Sequence, residues 1–328
     1  MHLVPNSYLP SDNLLNLIEQ ALDYASQSKS KNTQIAYAKD WACFDTWCYS
    51  KGLTSLPCLP QTLALYLTDK SSLLKVSSLQ RRLVSIKQKH QEQGITLDLV
   101  SIQEIWRGIK RAKGTHQQGK SPLLNTDLKQ IVRQLPSTPI AIRDKALLLL
   151  GFTGGFRRSE LVSLHIEDLE FSAHGLLVHL KKSKTDQEGQ GRQIGILYGA
   201  FKESCPIRSL QEWISILNRA TGPLFCSINR HAQLSSNPLL DLEVARIVKK
   251  RVYESLIRQG YTDEDAKQEC TKFSGHSLRS GLVTSAASAG LPEHMIMRQT
   301  GHKRSDTLRK YIRMGNVFTE NVSGKLGL

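Results

Sequence analysis

From Leu14 to Lys113 apolar residues recur at about one helical turn, and short turn signals separate the periodic stretches. One stretch has caps at Asn32 and Thr33, a stop at Gly52, and apolar side chains spaced to share most of one face: Ile35, Trp41, Phe44 and Trp47. The same periodicity predicts further helices over residues 60–69, 77–93 and 99–112. We therefore expect residues 1–113 to form a compact helical domain.

The stretch KGTHQQGKSP, from Lys113 to Pro122, is polar and lacks apolar periodicity. Such a sequence is typical of a connection between independently packed domains, so residues 114–122 are predicted as a linker and 123–328 as the second domain. In that domain two apolar runs, Leu176–Leu180 and Gln193–Leu197, flank a polar loop and predict a hairpin. The other periodic segments predict helices, including 125–134, 140–151 and 158–165.

The formal net charge of +15 and the isoelectric point of about 9.6 favour a polyanionic partner, nucleic acid first. A merely basic protein, or one resting on an anionic membrane, is the alternative. The first residues carry no export signal, and no segment has the roughly twenty apolar residues needed to cross a bilayer. These features predict a soluble, intracellular protein.

The six cysteines are scattered, without a CxxC pair or a Cys/His spacing that would build a zinc site. Neither a Walker loop nor a carboxylate cluster typical of two-metal nucleases is present in the sequence. We therefore predict no metal and no cofactor, and reduced cysteines.

Phosphodiester transfer without a metal needs cations for the phosphate oxygens, an acid for the departing oxygen and a nucleophile. In TGGFRRSEL, a glycine turn delivers Arg157 to a helix start, and Glu160 follows one turn later, where it can hold the arginine. In SGHSLRSG, His276 and Arg279 project from one helical face and can share a phosphate. A solvated surface pair is the alternative at the first place, and a capped helix start with an exposed histidine and arginine is the alternative at the second.

In GHKRSDTLRKYIR, His302 precedes Tyr311 by a turn and a short helix, which can bring both side chains to one site. A tyrosine phenol is a poor nucleophile at neutral pH, so its neighbours must take its proton. An ordinary core or interface tyrosine is the alternative. Lys184, in the hairpin loop, is a candidate acid, although lysines in polar loops are often only solvated.

In combination and order, these elements resemble the tyrosine recombinase family, which includes the phage integrases, Cre and the Xer recombinases. The family motif Arg-x-Ser-Glu-Leu is matched from Arg157 to Leu161, His-x-x-Arg by His276 and Arg279, and Gly-His by Gly301 and His302. The resemblance implies Tyr311 as the nucleophile and Lys184 in the lysine turn, with Lys182 as the alternative.

The resemblance covers nearly the whole chain and implies a mainly α fold: a helical, SAM-like core-binding domain and an α+β catalytic domain with a small sheet, closing on DNA as a C-shaped clamp. It implies a site-specific recombinase that forms a 3′-phosphotyrosyl bond and acts through a Holliday junction without metal or ATP. A homo-tetramer on two duplexes is implied as well, with tail residues docking on a neighbouring protomer: Val317, Phe318 and Val322.

Candidate DNA contacts are basic and polar side chains of both domains, for each of which simple solvation is the alternative: Lys31, Thr33, Tyr37, Arg81, Arg82, Lys87, Lys249, Lys250 and Arg251. A type IB topoisomerase or telomere resolvase shares this chemistry, and an inactive DNA-binding regulator is the alternative of another class. We expect a bacterial or phage protein of the cytoplasm, associated with the nucleoid. The target sequence, the biological role, the directionality and the need for accessory proteins are not encoded in these motifs.

Overall fold

The computed structural model describes residues 12–116, 119–181, 191–306, 308, 309 and 311. The chain divides into two compact units, Met1–Gln118 and Gly119–Leu328. Helices make up most of the described residues, and the described strands pair in small antiparallel sheets. The predicted fold class, mainly α with a small sheet, is confirmed. No helix in the described part of the chain is both long and apolar enough to cross a bilayer.

The described helices of the first unit are α1 (Asp12–Gln27), α2 (Lys31–Ser50), α3 (Pro60–Ser71), α4 (Val76–Glu92) and α5 (Gln103–Lys113). Its core consists of fully buried side chains from α2, α3 and α4: Phe44, Leu63, Tyr66, Leu67, Leu79 and Ile86. The amphipathic helix α1 contributes nothing to this core, since its described side chains between 13 and 25 are all exposed.

Helix α2 differs from its sequence prediction at its start. Its N-cap is Ser30, whose hydroxyl accepts a hydrogen bond from the Thr33 N–H, so Asn32 and Thr33 lie inside the helix. Ile35 is 45% exposed and lies off the buried face, whereas Phe44 and Trp47 are buried as expected. The apolar spacing thus identified the helix correctly but wrongly included Ile35 in its buried face.

The described helices of the second unit are α6 (Asn125–Arg133), α7 (Pro139–Thr153), α8 (Arg158–Val162), α9 (Pro206–Leu217), α10 (Asp241–Arg258), α11 (Asp263–Cys270), α12 (His276–Ser288) and α13 (Glu293–Thr300). Residues 305, 306, 308, 309 and 311 are also helical. Helix α7 is almost entirely enclosed, because most side chains from Ala141 to Phe152 are buried, and it forms the centre of the core.

Strands β1 (Leu169–Phe171), β2 (Leu176–Leu180) and β3 (Arg192–Ile196) form an antiparallel sheet in that order. Strands β4 (Cys226–Ile228) and β5 (Leu234–Pro238) form a second, two-stranded sheet. On the inward face of the first sheet Leu180 pairs with Arg192, and the two pairs beyond are wholly apolar: Val178 with Ile194, and Leu176 with Ile196.

The last residues of the predicted linker are bound to the second unit. The Lys120 ammonium donates to the Thr271 carbonyl (2.7 Å), and the Ser121 N–H donates to the Lys272 carbonyl (2.8 Å). Immediately after the linker, the Leu123 N–H donates to the carbonyl of Ser277 in the first turn of α12 (2.9 Å). These bonds tie the start of the second unit to the segment after α11 and, through Leu123, to the helix that carries His276 and Arg279.

Candidate active site

The turn between α7 and α8 places Arg157 and Glu160 together. Gly155 adopts the left-handed φ of +58°, which the turn requires and which glycine adopts without strain. The Glu160 carboxylate, 2% exposed, accepts from the Arg157 N–H (2.8 Å) and from Arg157 Nη1 (2.5 Å). The neighbouring Arg158 instead pairs with Asp241 (3.1 Å). The carboxylate thus fixes both the backbone and the guanidinium of Arg157.

Arg279, on α12, is a fully enclosed arginine that joins two other segments. Its side chain is 2% exposed, and Nη1 donates to the carbonyls of Gly155 and Thr300, both at 2.6 Å. One guanidinium thereby connects the α7–α8 turn to the end of α13. Burial, followed by the charge of Arg157, lowers the pKa of Arg279 to about 10.

His302 follows α13 and lies against the same guanidinium. Its Nε2 is 3.1 Å from Arg279 Nη2, and its Nδ1 is 2.6 Å from Thr300 Oγ1. Because arginine only donates, Nε2 is the acceptor and Nδ1 carries the proton that is donated to Thr300. Burial, followed by the charges of Arg279 and Arg157, lowers the pKa of His302 to about 3. The ring is therefore neutral at physiological pH.

His276, at the start of α12, meets Tyr311. The Tyr311 Oη lies 2.9 Å from His276 Nε2; His276 keeps an exposed edge, and Tyr311 is half-buried. Burial lowers the pKa of His276, as do the charges of Arg279 and Arg157. Burial raises the pKa of Tyr311, while Arg279 opposes that change. Near neutral pH this is therefore a neutral imidazole beside a protonated phenol, and the phenol donates to Nε2 when the ring proton is on Nδ1.

The predicted catalytic residues that are described are thus brought together: Arg157, His276, Arg279, His302 and Tyr311. Two guanidiniums lie at this place with Glu160 as their buried carboxylate, so an added anion would be attracted. Among the described residues no group of three or more His, Cys, Asp or Glu side chains could hold a metal ion. The arrangement can bind a phosphate and present a phenol with a proton acceptor beside it.

Several predicted residues lie outside the described part of the chain: Lys182, Lys184, Val317, Phe318 and Val322. The preceding lysine is described, and it is not simply solvated: Lys181 Nζ pairs with the buried Asp168 carboxylate at 2.6 Å. That pair holds the end of β2, where the loop begins.

The DNA-contact candidates differ in availability. Exposed side chains among them are Lys31, Arg81, Lys87 and Lys250, while Thr33, Tyr37 and Lys249 are half-buried. Arg81 is also bound to Asp40 by two hydrogen bonds (2.6 and 3.0 Å), and the side chain of Arg82 is 15% exposed and donates to Tyr66 Oη.

The assignment of Arg251 as a DNA contact is corrected by the structure. Its side chain is 5% exposed, and its guanidinium is bound to the carboxylates of Asp144 and Glu254. A charge enclosed and paired in this way belongs to the core.

Sequence reasoning missed Arg192, which begins β3 and lies beside Glu160 and the end of α13. Strand alternation contained a signal, because Arg192 shares the inward face with Ile194 and Ile196. A charged residue at an inward position requires a partner. Thr300, which holds His302, was also missed, and it carries no comparable signal.

The phage integrase family model matches residues 122–316. An integrase/recombinase xerD homolog of Selenomonas ruminantium is 36% identical over 330 residues, covering 99% of this chain and 93% of that protein. A tyrosine recombinase XerC of Lactobacillus delbrueckii subsp. bulgaricus is 28% identical over 179 residues, covering 52% of this chain and 58% of that protein.

Solved structures share the fold at low sequence identity. The integrase of transposon Tn1549 in complex with circular intermediate DNA gives a TM-score of 0.60 at 15% identity, covering 90% of this chain and 93% of that one. A lambda integrase dimer bound to a core site gives 0.55 at 17% identity, covering 93% and 95%. The XerH recombinase bound to its palindromic substrate gives 0.57 at 17% identity, covering 82% and 72%.

Proposed function

The chain belongs to the phage integrase family of tyrosine recombinases, and from that premise we propose that it cuts and rejoins DNA through a covalent bond to Tyr311. The Tyr311 oxygen attacks the scissile phosphorus, a 3′-phosphotyrosyl bond forms, and the bond to the 5′ oxygen breaks. A 5′ hydroxyl then reverses the step and releases the phenol. The ester preserves the bond energy, so neither ATP nor a metal is needed.

The hydrogen bond between Tyr311 and His276 is the observation that supports this reaction most strongly. With its ring proton on Nδ1, the neutral imidazole receives the phenol hydrogen across 2.9 Å, which is within the reach required of a general base. As the Oη–phosphorus bond forms, the phenol proton passes to His276 Nε2. In the reverse step His276 returns that proton to the departing phenolate.

Arg157 and Arg279 bind the non-bridging oxygens and stabilise the charge of the crowded transition state. Glu160 orients Arg157 through the bonds it already makes. His302 adds a hydrogen bond to the phosphate. Because its Nε2 is an acceptor in the structure, the ring must first take its other neutral tautomer, with the proton on Nε2 and with Nδ1 accepting from Thr300 Oγ1.

Lys184 protonates the 5′ oxygen as it leaves, and Lys182 is the alternative for that role. Lys181 is less suited, because it is paired with Asp168 at the end of β2. The sequence resemblance of Ser-Lys-Thr to the family's lysine turn supports Lys184.

The partner is double-stranded DNA carrying a specific recombination site. Residues 1–113 bind it as a core-binding domain and residues 123–328 as the catalytic domain, with residues 114–122 as the linker. Four copies on two duplexes exchange strands through a Holliday junction, with the tail segment docking on a neighbour, and accessory proteins are possible partners. The solved relatives bound to DNA support this proposal. We place the protein with the bacterial nucleoid.

The test begins by sequencing the DNA that becomes covalently trapped on the chain in cells, which supplies the site. A nicked suicide duplex of that sequence is then incubated with wild type, Tyr311→Phe and the control Tyr261→Phe, which changes an exposed tyrosine of the same unit. We expect an adduct with wild type and the control, and none with Tyr311→Phe, which keeps its affinity for DNA.

An adduct that survives Tyr311→Phe would remove Tyr311 as the nucleophile. Absence of any adduct from wild type would contradict strand transfer and favour an inactive regulator. Exchange between two marked sites, set against relaxation of one supercoiled circle, separates a recombinase from a type IB topoisomerase.

A further inference from the structure

Arg192 is a charged residue at a position where the sheet is otherwise apolar. It opens β3 on the inward face, pairs with Leu180 across the sheet, and precedes Ile194 and Ile196 on the same face. Its side chain is 21% exposed. Burying a guanidinium beside apolar residues is unfavourable unless polar groups compensate, so its contacts indicate why it lies there.

Those contacts connect two parts of the active site. Arg192 Nη1 donates to the Gln299 carbonyl at 3.0 Å, in the last turn of α13. Its Nη2 lies 3.9 Å from Glu160 Oε2, the oxygen that also accepts from the Arg157 N–H. This Nη2 is buried and has no hydrogen-bond partner among the described residues, so its charge is directed at Glu160 across a short gap.

The Gly-His turn is shaped around the same guanidinium. A Cβ on Gly301 would lie 2.6 Å from Arg192 Nη1 and 2.8 Å from its Cζ, closer than real contacts allow. Gly301 also adopts a φ of +67°, the left-handed conformation that caps α13. The residue before His302 therefore packs directly on Arg192, and a side chain there would displace it.

We propose that Arg192 is a positioning residue. It acts on Arg157 through Glu160 and on His302 through the Gln299–Gly301 turn, and so fixes these two side chains relative to each other. This inference rests on the proposed strand-transfer function and names a further residue that it needs. Arg192 acts through these groups and does not itself bind the phosphate. No motif identified in the sequence includes it.

The charges explain why a guanidinium is required. Glu160 faces both Arg157 and Arg192, so its negative charge is shared between them. Without Arg192, Glu160 would hold Arg157 alone and more tightly, which competes with binding of the phosphate oxygens. The turn that carries His302 would lose its anchor at the Gln299 carbonyl at the same time. Lysine keeps the charge, but its single ammonium group lacks the planar guanidinium geometry that reaches Glu160 and the Gln299 carbonyl together.

The test measures single-turnover cleavage of the suicide duplex by wild type, Arg192→Met, Arg192→Lys and the control Arg258→Met. Arg258 is an exposed arginine of the same unit that also donates to a main-chain carbonyl, that of Gln134. We expect Arg192→Met to cleave about 10- to 100-fold more slowly, the range found when a group that orients a reacting partner is lost. Arg192→Lys should recover only part of this rate, and the control should match wild type.

Two readouts separate positioning from other roles. A duplex with a 5′-bridging sulfur needs no proton on its leaving group, so it rescues defects in the general acid. We expect the Arg192 defect to persist on this duplex, because phosphate positioning is lost. The salt dependence of DNA binding should equal that of wild type, because Arg192 neutralises no phosphate.

A double-mutant cycle with Glu160→Gln tests the connection itself. Because Arg192 acts in part through Glu160, the double variant should be slowed by less than the product of the two single defects, since both substitutions remove the same link. The proposal would be overturned if the two single defects multiplied in the double variant. It would also be overturned if the 5′-bridging sulfur restored the cleavage rate of Arg192→Met, or if this variant reduced the salt dependence of DNA binding. Wild-type rates in Arg192→Met would overturn it as well. Thermal unfolding of Arg192→Lys guards against a folding defect, and a wild type that forms no adduct would instead contradict the proposed function.

Discussion

The contact between His276 and Tyr311 has a direction that depends on the ionisation of the imidazole. Burial and two guanidiniums lower the pKa of His276 below its ordinary 6.5, so the ring is neutral near pH 7 and accepts the phenol hydrogen. Protonation of Nε2 removes this acceptor. The proposed reaction therefore requires the unprotonated form of His276, which is present above its lowered pKa and lost as the pH falls through it.

The first prediction at the residue scale is a pH dependence. Single-turnover cleavage should be level near neutral pH and fall on acidification, with a midpoint below 6.5 that belongs to His276. His276→Gln should lose this acid limb and cleave about 100-fold or more slowly, as expected for loss of a general base. The pKa of His302, about 3, places its titration at lower pH.

The control for this prediction is His294→Gln, which changes an exposed histidine. An acid limb that is unchanged in His276→Gln would exclude His276 as the base.

The structure groups the side chains of the recognised motifs because each motif places its residue at an element boundary: Arg157 before α8, His276 at the start of α12 and His302 after α13. Arg192 could not be found in this way, since its importance comes from neighbours distant in sequence, Glu160 and Gln299. Periodicity marks it as inward but does not identify its partners. Arg251 was misassigned for the same reason, because its partner Asp144 lies on another helix.

At the scale of elements, α7 and α10 are joined by charges inside the core. Asp144 is 1% exposed and accepts from Arg143 (2.7 and 3.0 Å) and from Arg251 (2.7 and 2.8 Å). Arg143 also donates to the carbonyl of Cys226, the first residue of β4. One carboxylate thus connects two helices, and through Arg143 the small sheet as well.

We predict that Asp144→Asn lowers the free energy of unfolding of the second unit by about 3–5 kcal/mol, because the enclosed Arg143 loses its carboxylate and Arg251 keeps only Glu254. Urea denaturation measures the change. Asp263→Asn is the matched control, since its pair with Lys267 is exposed to solvent and contributes little to stability. Equal losses in the two variants would show that the buried network contributes no more than a surface pair.

Elements with strong periodicity were predictable, as the agreement of β2 and of the helices around α7 shows. Strand β1 has only three residues, and β5 reads LSSNP, which has no apolar alternation, so tertiary packing rather than local pattern sets both. Helix α1 is the converse case. Its amphipathic pattern predicts that one face is buried, but its described side chains from 13 to 25 are exposed. Periodicity identifies an apolar face and does not identify the surface that the face would pack against.

At the scale of the whole molecule, the net charge of +15 is the property that suits a DNA partner, and the structure shows which basic groups are available for it. Lys87 is exposed on α4, and Lys31 is exposed at the start of α2. Arg251 is enclosed with two carboxylates, so it adds to the formal charge without offering a contact. The count of 44 lysines and arginines therefore overstates the number of phosphates that the protein can neutralise.

The last prediction concerns the salt dependence of binding to the duplex. If Lys31 and Lys87 each neutralise one phosphate, replacing either by Gln should reduce the slope of log K against log salt by about 0.9, because one fewer counterion is released. The loss should be nearly equal on specific and unrelated duplexes, since phosphate contacts carry no base information. Lys267→Gln is the control, because this lysine is paired on a helix whose first turn holds Asp263, Glu264 and Asp265, and that acidic surface repels DNA. Slopes unchanged in both test variants would place the phosphate contacts on other residues, and a slope that falls equally in the control would mean that total charge alone determines binding.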